Sequence, residues 1–516
     1  MRLRKLIVST ILIVLIFSTV FTVYAEDADI REPRDWTGWV NTENQLSSNA
    51  LKTADAAIVV DINSGRIIYK KGAYDSMYPA STTKIMTCIL GLQYGELTDM
   101  VTVDDTMYEY IRNLDDKSTL SGVKRGEIIS MRDLLYGLML ESGNDAAVVI
   151  ACHIGGTYDE FINMMNAKAA EIGMLYTHYA NPHGLPDASH KTCARDMALL
   201  AMYAKENYPM FETIVSTVRY TPADTNKTSY SSTGYQFTNS NRLITEGDSF
   251  YYPYATGIKT GYTTVAESVL VSSAKFNNQS MVAVVMKDEK DDKWRNSITL
   301  FDYSIDFYDT IKLSDLFANN KYTTTVENAD MNTTGNQLSV YIGQGEEVYL
   351  TEPKDKIESI LQDKEGFFNE VIAYNTEKLT APINEGDEVG TVTYKYIYSH
   401  NSEDYLGYKA SEGEIQYFEY TAPLYAENSI AAIVTTTPTP SVTIEPTKEP
   451  PSGIISNLNL LQIALIAIGV LFVILVILLI ILLTNKGGAN RRYPDDPNTR
   501  YKHEERDNSR NNRRRY

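Results

Sequence analysis

The chain has 516 residues, of which 43% are hydrophobic, so it is long enough for several domains with substantial cores. Its formal net charge is −19 at pH 7, although residues 486–516 carry ten Lys and Arg side chains against five Asp and Glu. A chain this acidic argues against a nucleic-acid-binding protein, because that function needs a basic surface.

The N-terminus has the pattern of a secretory signal peptide, which we assign to residues 1–25. Three basic residues precede an apolar run from Leu6 to Phe21, and residues that a signal peptidase reads follow at Val23–Ala25. An uncleaved membrane anchor is the alternative, but the apolar run is short for a membrane span. Residues 26–51 are polar and are interpreted as a leader onto the first domain.

Residues 52–310 predict one α+β domain. Hydrophobic patterning predicts strands at 56–61, 66–69, 254–264, 268–274 and 281–286. It predicts helices from 81 onward and at 130–152, 161–173, 192–204 and 294–308. Strands from distant parts of the chain are then expected to form one antiparallel sheet beside a helical middle.

The segment Tyr78–Thr87 carries the first chemical motif. Pro79 fixes φ just before a helix start, and Ser81 then lies among backbone N–H groups that lack partners. Lys84 follows three residues later and therefore lies on the same face. A hydroxyl and an amine at the positive end of a helix dipole suit a serine nucleophile with a lysine base. Because this spacing is weak evidence alone, an ordinary helix start with a solvated lysine is the alternative.

Two further short motifs lie in the same domain. Gly143 interrupts a helical pattern and places Ser142 and Asn144 on a tight turn, for which a simple helix–turn–helix corner is the alternative. The third motif, Lys259–Gly261, lies on the strand predicted at 254–264. Each motif is weak alone, but their order and their placement on a helix start, a turn and a strand make the set specific.

The rest of the chain predicts a second domain and a membrane anchor. Residues 311–427 lose helical periodicity and predict a small all-β domain, and the Pro- and Thr-rich segment 428–455 predicts a stiff linker. The uncharged apolar run Ile463–Leu483 predicts a transmembrane helix at 460–484 rather than a buried core helix, because a basic tail at 485–516 follows at once. We therefore expect a single-pass protein of the cell membrane, with residues 26 to about 455 facing outward and the C-terminus in the cytosol.

Together the three motifs resemble those of penicillin-binding proteins and serine β-lactamases, with Gly143 where many of these proteins have Asp. Over about residues 52–310 the chain is most similar to the serine D-alanyl-D-alanine carboxypeptidases, the low-molecular-mass penicillin-binding proteins. Five segments carry this resemblance: Tyr78–Lys84, Ser142–Ala146, Asn181–Leu185, Ala194–Ala198 and Gly257–Thr263. It implies a transpeptidase-like fold in which an antiparallel sheet packs against a helical subdomain.

The resemblance implies that Ser81 attacks the carbonyl between two D-alanines of a peptidoglycan stem peptide and that β-lactams acylate the same serine. Such an enzyme acts in peptidoglycan biosynthesis, cell-wall organisation and cell shape. Lys84 must be neutral to accept the proton, and with an ordinary pKa near 10.4 only about one lysine in 2,500 is neutral at pH 7. Burial and a second cation, Lys259, are expected to lower that pKa. Ser142 is expected to relay the proton to the leaving amine.

Five residues are expected to bind the substrate: Asn144, Lys259, Thr260, Gly261 and Tyr262. Lys259 and Thr260 would hold the terminal carboxylate, while Asn144 would hold both Lys84 and the substrate amide. By the same resemblance, backbone N–H groups of Ser81 and Tyr262 form the oxyanion hole.

Other chemistry-bearing residues are interpreted as structural. His183 is expected to be a turn residue rather than a base, Arg195 and Asp196 an ion pair near a helix start, and Trp294 a core residue. Neither the three cysteines nor the six histidines show zinc spacing, so no metal and no cofactor are expected.

Two other functions stay open. A β-lactamase shares the nucleophile but needs fast deacylation, often through a Glu-activated water, and no Glu-x-x-Leu-Asn segment lies between Ser142 and Lys259. A catalytically silent penicillin-binding sensor or wall-binding protein is the second alternative. The intact Ser81, Lys84 and Lys259 argue against that function.

Overall fold

The computed structural model describes most of the chain between residues 29 and 433. The described ranges are 29–43, 45–47, 50–398, 404–406 and 418–433. Four predicted segments lie wholly or mostly outside them: the signal peptide 1–25, the linker 428–455, the transmembrane helix 460–484 and the tail 485–516. Within those ranges, no helix combines the length and the apolar character that a membrane crossing requires.

Within the described residues, the secondary structure begins and ends with strands. In chain order these are β1 (Ala56–Asp61), β2 (Ile67–Lys71), β3 (Met100–Thr102), β4 (Ile128–Ser130), β5 (Arg219–Tyr220), β6 (Phe237–Thr238), β7 (Ala255–Thr263), β8 (Glu267–Phe276), β9 (Gln279–Asp288), β10 (Tyr308–Lys312), β11 (Lys321–Thr325), β12 (Gln337–Ile342), β13 (Tyr349–Pro353), β14 (Phe368–Tyr374), β15 (Glu388–Tyr396) and β16 (Glu419–Ala426).

Most helices lie between β2 and β7. In chain order they are α1 (Lys84–Tyr94), α2 (Asp105–Arg112), α3 (Met131–Met139), α4 (Asn144–Gly155), α5 (Tyr158–Ile172), α6 (Ala194–Asn207), α7 (Pro209–Ser216), α8 (Tyr230–Thr233), α9 (Asp292–Phe307), α10 (Leu313–Phe317), α11 (Lys354–Gln362) and α12 (Lys364–Phe367). Short 3₁₀ turns are at Ala80–Thr83, Arg242–Ile244 and Thr376–Leu379.

An antiparallel sheet of order β2-β1-β9-β8-β7 forms the centre of the peptidase region. Successive residues of β1 face opposite sides, as the pleat of a strand requires. Ala56, Ile58 and Val60 pack into the helical core, while Ala57 and Val59 pack into the layer that contains α9. The predicted sheet, built from both ends of the region, is therefore confirmed, and β2 and β7 are its edge strands.

Helix α1 is the buried axis of the helical layer. Its residues from Lys84 to Gly91 are all buried, because α3, α4, α5, α6 and α7 surround it. A helix that is apolar on every side can only be stable in such a position. The residues at the start of α1 are consequently held from all directions.

The predicted helical stretch at 130–152 is two helices joined by a corner. The Ser130 hydroxyl caps α3 by accepting a hydrogen bond from the Asp133 amide at 3.1 Å, and it donates to the Asp133 carboxylate at 2.6 Å. This pair of hydrogen bonds resembles a capping box, with Asp in place of Glu. Helix α3 ends at Met139 and α4 begins at Asn144, so the expected break around Gly143 is confirmed.

The N-terminal leader packs against α9. The Arg31 guanidinium donates hydrogen bonds to Asp302 at 2.9 Å and to Asp306 at 2.7 Å. The Trp36 indole N–H donates to the other oxygen of Asp306 at 2.8 Å. These contacts fix the described part of the leader to the face of the sheet that lies away from the helical layer.

The region after α9 is rich in strands, as predicted, but it also contains helices. Its main sheet is antiparallel, with order β11-β12-β16-β15-β14, and it has a hydrophobic cluster of its own. Three short helices, α10, α11 and α12, accompany the sheet, and the prediction of an all-β region does not include them. Helix α11 buries only Ile357 and Ile360 among polar residues, which leaves a weak helical signal in the sequence.

The turn between β1 and β2 contacts the β-rich region. The Leu406 amide donates a hydrogen bond to the Gly65 carbonyl at 2.7 Å, and Gly65 has a φ of +75°. A Cβ on Gly65 would lie 2.6 Å from the Leu406 oxygen. The buried Asp61 carboxylate accepts from the hydroxyls of Ser64 at 2.8 Å and Thr351 at 3.0 Å. The two regions are thus joined by backbone contact and by a shared buried carboxylate.

Candidate active site

Ser81 and Lys84 lie where the 3₁₀ turn Ala80–Thr83 meets α1. Lys84 Nζ is 3.1 Å from Ser81 Oγ. The sequence predicts Ser81 at an α-helix start, whereas the α-helix begins at Lys84 and Ser81 belongs to the tighter turn. Residues i and i+3 are eclipsed in a 3₁₀ turn, which aligns these two side chains directly.

Two acceptors orient the Lys84 amine. Nζ donates to Asn144 Oδ1 at 2.6 Å and to the backbone carbonyl of His183 at 2.7 Å. A carbonyl oxygen can only accept, so these two bonds use two N–H groups of the amine. The remaining position on the nitrogen faces Ser81 Oγ. In the neutral amine this position is a lone pair, which can accept the proton of Ser81.

The electrostatics of the pocket favour that neutral form. Lys84 is fully buried, and burial together with the nearby charge of Lys259 holds its pKa well below the ordinary value, while Asp145 opposes the shift. Lys259 is also buried, and burial and the charge of Lys293 lower its pKa to about 7. Within the described part of the chain, neither Lys84 nor Lys259 forms an ion pair with a carboxylate.

The corner between α3 and α4 brings Asn144 to Lys84. Ser142 has a φ of +59°, a left-handed conformation that is uncommon for a residue with a side chain. A Cβ on Gly143 would lie 2.7 Å from both Asp145 Oδ1 and the Ser121 Cβ. This crowding leaves no room for a side chain at position 143. Ser142 Oγ is partly exposed and has no hydrogen-bond partner among the residues that the structure describes.

The carboxylate of Asp145 holds this corner in place. Oδ1 accepts from the Ser121 amide at 2.7 Å, from the Ser121 hydroxyl at 2.9 Å and from the Ala146 amide at 2.9 Å. Oδ2 accepts from the amides of Gly122 at 2.8 Å and Val123 at 2.9 Å. The sequence interpretation quotes Asp145 only as part of a similar segment. Its role could not be found there, because most of its partners are backbone groups more than 20 residues away.

The edge strand β7 lies against the turn of Ser81. A Cβ on Gly261 would lie 3.1 Å from the Ser81 amide nitrogen and 3.2 Å from the Pro79 oxygen. Thr260 Oγ1 is 2.8 Å from Ser240 Oγ, and the Tyr262 side chain is 65% exposed. The strand predicted to bind substrate is therefore beside the nucleophile, and its alternate amides face away from β8.

The turn Asn181–Leu185 supplies a group that the sequence interpretation does not identify. Its contribution is the carbonyl of His183, which accepts from Lys84. At Gly184, where φ is +91°, a Cβ would lie 1.8 Å from the Ala80 oxygen. Backbone therefore packs directly on backbone beside the nucleophile turn. A backbone carbonyl has no signature of its own in a sequence, and the breaker-rich turn was the one available signal.

The imidazole of His183 is structural, as predicted. The Leu185 amide donates to Nδ1 at 3.2 Å, so Nε2 carries the proton and donates to the Tyr158 hydroxyl at 3.2 Å. Burial and the charge of Lys84 hold the pKa of His183 well below its usual range. This side chain is therefore neutral and occupied on both nitrogens.

The structural predictions for Arg195, Asp196 and Trp294 are confirmed. Arg195 and Asp196 form an ion pair at 2.9 Å. Trp294 is 4% exposed and belongs to the core. All three cysteines are buried free thiols.

The fold and the site define a class of enzyme, the serine acyltransferases and hydrolases that use a lysine as base. Comparison with known proteins makes the assignment narrower. A family model described as D-alanyl-D-alanine carboxypeptidase matches residues 42–290. D-alanyl-D-alanine carboxypeptidase DacF of Bacillus subtilis is 28% identical over 369 residues, which cover 70% of this chain and 86% of that protein. D-alanyl-D-alanine carboxypeptidase DacA of Haemophilus influenzae is 30% identical over 353 residues, which cover 66% and 81%. The chain belongs to the D-alanyl-D-alanine carboxypeptidase family, peptidase S11.

A solved structure shares the fold. A peptidoglycan synthesis regulatory factor (PBP3) of Streptococcus pneumoniae matches with a TM-score of 0.54 and 23% identity. The match covers 73% of this chain and 99% of that one. The predicted α+β fold of penicillin-binding proteins is thereby confirmed.

Proposed function

We propose that this chain is a serine D-alanyl-D-alanine carboxypeptidase, which removes the terminal D-alanine of peptidoglycan stem peptides through an acyl-enzyme on Ser81. The observation that carries the proposal is the orientation of the Lys84 amine. Two of its positions are taken by Asn144 and His183, and the third faces Ser81 Oγ at 3.1 Å. Membership of the carboxypeptidase family supports the choice of substrate.

Acylation begins when Ser81 Oγ attacks the carbonyl carbon of the terminal peptide bond and its proton passes to the neutral amine of Lys84. The carbonyl electrons move to the oxygen, which we place between the backbone N–H groups of Ser81 and Tyr262. Such donors are worth about 3 kcal/mol each in the transition state. The close approach of Gly261 to the Ser81 amide supports this assignment.

The C–N bond then breaks, and the leaving amine of D-alanine takes a proton from Lys84 through the hydroxyl of Ser142. Ser142 suits this relay because its hydroxyl has no competing partner among the described residues and because Asn144, two residues later, binds Lys84. Water next attacks the ester, Lys84 accepts the water proton, and Ser81 recovers its own. The product is a stem peptide that is one D-alanine shorter.

The terminal carboxylate of the substrate binds Lys259 and Thr260 in this proposal. A bound anion favours the charged form of Lys259, whose pKa is about 7 in the free protein. Asn144 is the partner of the substrate amide. A β-lactam carries a carboxylate and a reactive amide in similar positions. After ring opening, the amine of the β-lactam stays attached to the acyl group. It therefore remains in the site, and the acyl-enzyme blocks further turnover.

The same proposal includes where the enzyme works. Residues 1–25 direct export, residues 460–484 cross the membrane once, and the basic residues 485–516 stay in the cytosol. The domains 52–310 and 311–427 then lie on the cell-wall side. An external protease added to intact cells should remove the catalytic domain and leave an anchored fragment that reacts with an antibody to the C-terminus. Protection of the catalytic domain would contradict this topology.

The reaction is tested by measuring D-alanine release from a peptide ending in D-Ala-D-Ala, with full-length protein in detergent and Ser81→Ala as the matched variant. Release by the wild type alone supports the carboxypeptidase. Stable acylation by penicillin without release would indicate the silent sensor. Rapid sustained hydrolysis of a chromogenic cephalosporin would indicate a β-lactamase.

A further inference from the structure

Thr260 has a hydroxyl partner outside the three motifs. Ser240 Oγ lies 2.8 Å from Thr260 Oγ1, and the two residues are 20 positions apart in the chain. Each hydroxyl has one proton to donate and can accept from the other. If Thr260 gives its proton to a substrate carboxylate, the bond between the two hydroxyls can only run from Ser240 to Thr260.

The segment that carries Ser240 is held in place by hydrogen bonds of the preceding residue, Asn239. The Asn239 side-chain amide donates to the Val215 oxygen at 3.1 Å and to the Thr217 oxygen at 3.0 Å. The Asn239 backbone amide donates to the Val218 oxygen at 2.8 Å. Asn239 is buried, so this anchoring is protected from water. The backbone next to Ser240 is therefore fixed, and it places the Ser240 hydroxyl beside Thr260.

A second anchor links this segment to the corner of Ser142. The Thr238 amide donates to Glu141 Oε1 at 2.7 Å, and Glu141 directly precedes Ser142. Residues 238–240 thus form a bridge between that corner and the strand that holds Thr260. The bridge spans the two sides of the site that face the substrate in the proposed reaction.

We propose that Ser240 is a positioning residue that directs the Thr260 hydroxyl toward the terminal carboxylate of the substrate. The inference rests on the proposed carboxypeptidase function. Ser240 donates to Thr260 Oγ1, so the single proton of Thr260 points away from Ser240 and into the carboxylate subsite. Two hydroxyls in series also polarise each other, which strengthens the outer bond to an anion.

The effect is expected in the complex rather than in the free enzyme. Ser240 is exposed in the free protein, so water competes for its hydrogen bonds. A bound substrate excludes that water, and the hydrogen bond between Ser240 and Thr260 then contributes fully to the free energy of substrate binding. Loss of Ser240 should consequently weaken substrate binding while leaving the thermal stability of the free enzyme unchanged.

The first experiment compares D-alanine release by full-length wild type, Ser240→Ala and Ser240→Thr in detergent. We expect Ser240→Ala to raise KM about fivefold, the loss typical of one hydrogen bond, with kcat changed less than twofold. Ser240→Thr keeps the hydroxyl and should restore the wild-type KM. Ser232→Ala is the matched control, because Ser232 lies in the nearby helix α8 and, among the described residues, its hydroxyl donates to the Ser229 oxygen alone. A lower kcat with unchanged KM, or no rescue by threonine, would overturn the inference.

A second experiment asks whether the effect depends on the carboxylate. The rates at which benzylpenicillin and its methyl ester acylate each protein are measured by intact-protein mass spectrometry. The slower reaction with the ester is followed over hours. Ser240→Ala should slow acylation by the acid and leave that by the ester at the wild-type rate. An equal loss with both reagents would assign Ser240 a general structural role.

The Glu141 anchor gives an independent check. Glu141→Ala should raise KM as Ser240→Ala does, and the double variant should be no worse than either single variant, because both act through one hydrogen bond. Glu141→Gln retains an acceptor for the Thr238 amide and should stay near wild type. Wild type that releases no D-alanine would refute the proposed function itself. Release by every variant at equal KM would refute only the role of Ser240.

Discussion

Lysines of the β-rich region are held differently from the two buried lysines of the active site. In the β-rich region they pair with carboxylates at the surface. Examples are the pairs Lys312 with Glu347, Lys321 with Glu427, and Lys395 with Glu419. Exposed pairs of this kind contribute little to folding, since water already solvates both charges.

In the peptidase region, Lys84 and Lys259 are fully buried, and among the described residues no carboxylate pairs with either amine. Burying an unpaired cation is costly unless the group gives up its proton. The contrast indicates which lysines serve structure and which serve chemistry. A buried lysine that binds only carbonyl oxygens and a hydroxyl is suited to act as a base.

The largest effect is expected for Lys84→Met, which removes the base and fills a similar volume with an uncharged side chain. D-alanine release should fall by about 10²–10⁴-fold, the usual contribution of a general base. Circular dichroism should show a folded protein. Lys395→Met, in the β-rich region, is the matched control and should keep full activity. Comparable activity of the two variants would remove the distinction between the two kinds of lysine.

The next variant, Lys259→Ala, tests the coupling between the two buried cations. The substitution removes the positive charge of Lys259 near Lys84. Lys84 then keeps its proton more readily, so the pKa of Lys84 rises. Acylation requires neutral Lys84, and the acidic limb of its pH profile should therefore move to higher pH. The pH dependence of acylation by benzylpenicillin measures this shift. Lys378→Ala, at the surface, should leave the profile in place.

Gly143→Ala should have a smaller but clear effect on stability. The added Cβ would meet Asp145 and Ser121 at 2.7 Å, and overpacking of this kind costs about 2 kcal/mol of unfolding free energy. Gly386→Ala, in the β-rich region, is a useful contrast. It has open space around it and a φ of +88°, so only the backbone cost of about 1 kcal/mol is expected. Urea unfolding of both variants compares crowding in the site with strain in an open turn.

The smallest effect is expected from breaking a surface pair. Lys321→Ala should leave both the urea midpoint and D-alanine release unchanged within error, because its partner Glu427 remains solvated. A clear loss of activity would show that the β-rich region influences the site.

Local patterns made much of the fold predictable. The strand Ala56–Asp61 and the turn after it follow from a continuous apolar run that is followed within ten positions by the turn residues Asn63–Gly65. The Ser130 cap needs only a neighbour three residues away. Helix α2 was missed although Asp104 caps it by accepting from the Met107 amide, because its short, polar sequence buries only two side chains.

The motif residues of the site could be found in the sequence, but their supports could not. Ser81 and Lys84 are close in sequence, so their spacing predicts that they meet. The His183 carbonyl is 99 residues from Lys84 and has no side-chain signature. The Ser240 hydroxyl is one of many, and only the tertiary structure places it beside Thr260.

The packing at Gly184 has a consequence for how such a site can evolve. The backbone at Gly184 contacts the backbone of the nucleophile turn, and Gly261 on strand β7 approaches the same turn closely. The shape of that part of the pocket is therefore set by main-chain atoms, which every sequence carries. Side chains around it can be exchanged in large numbers while the glycines stay. A side chain at Gly184 or Gly261 is therefore expected to change this shape more than a substitution among the surrounding side chains would.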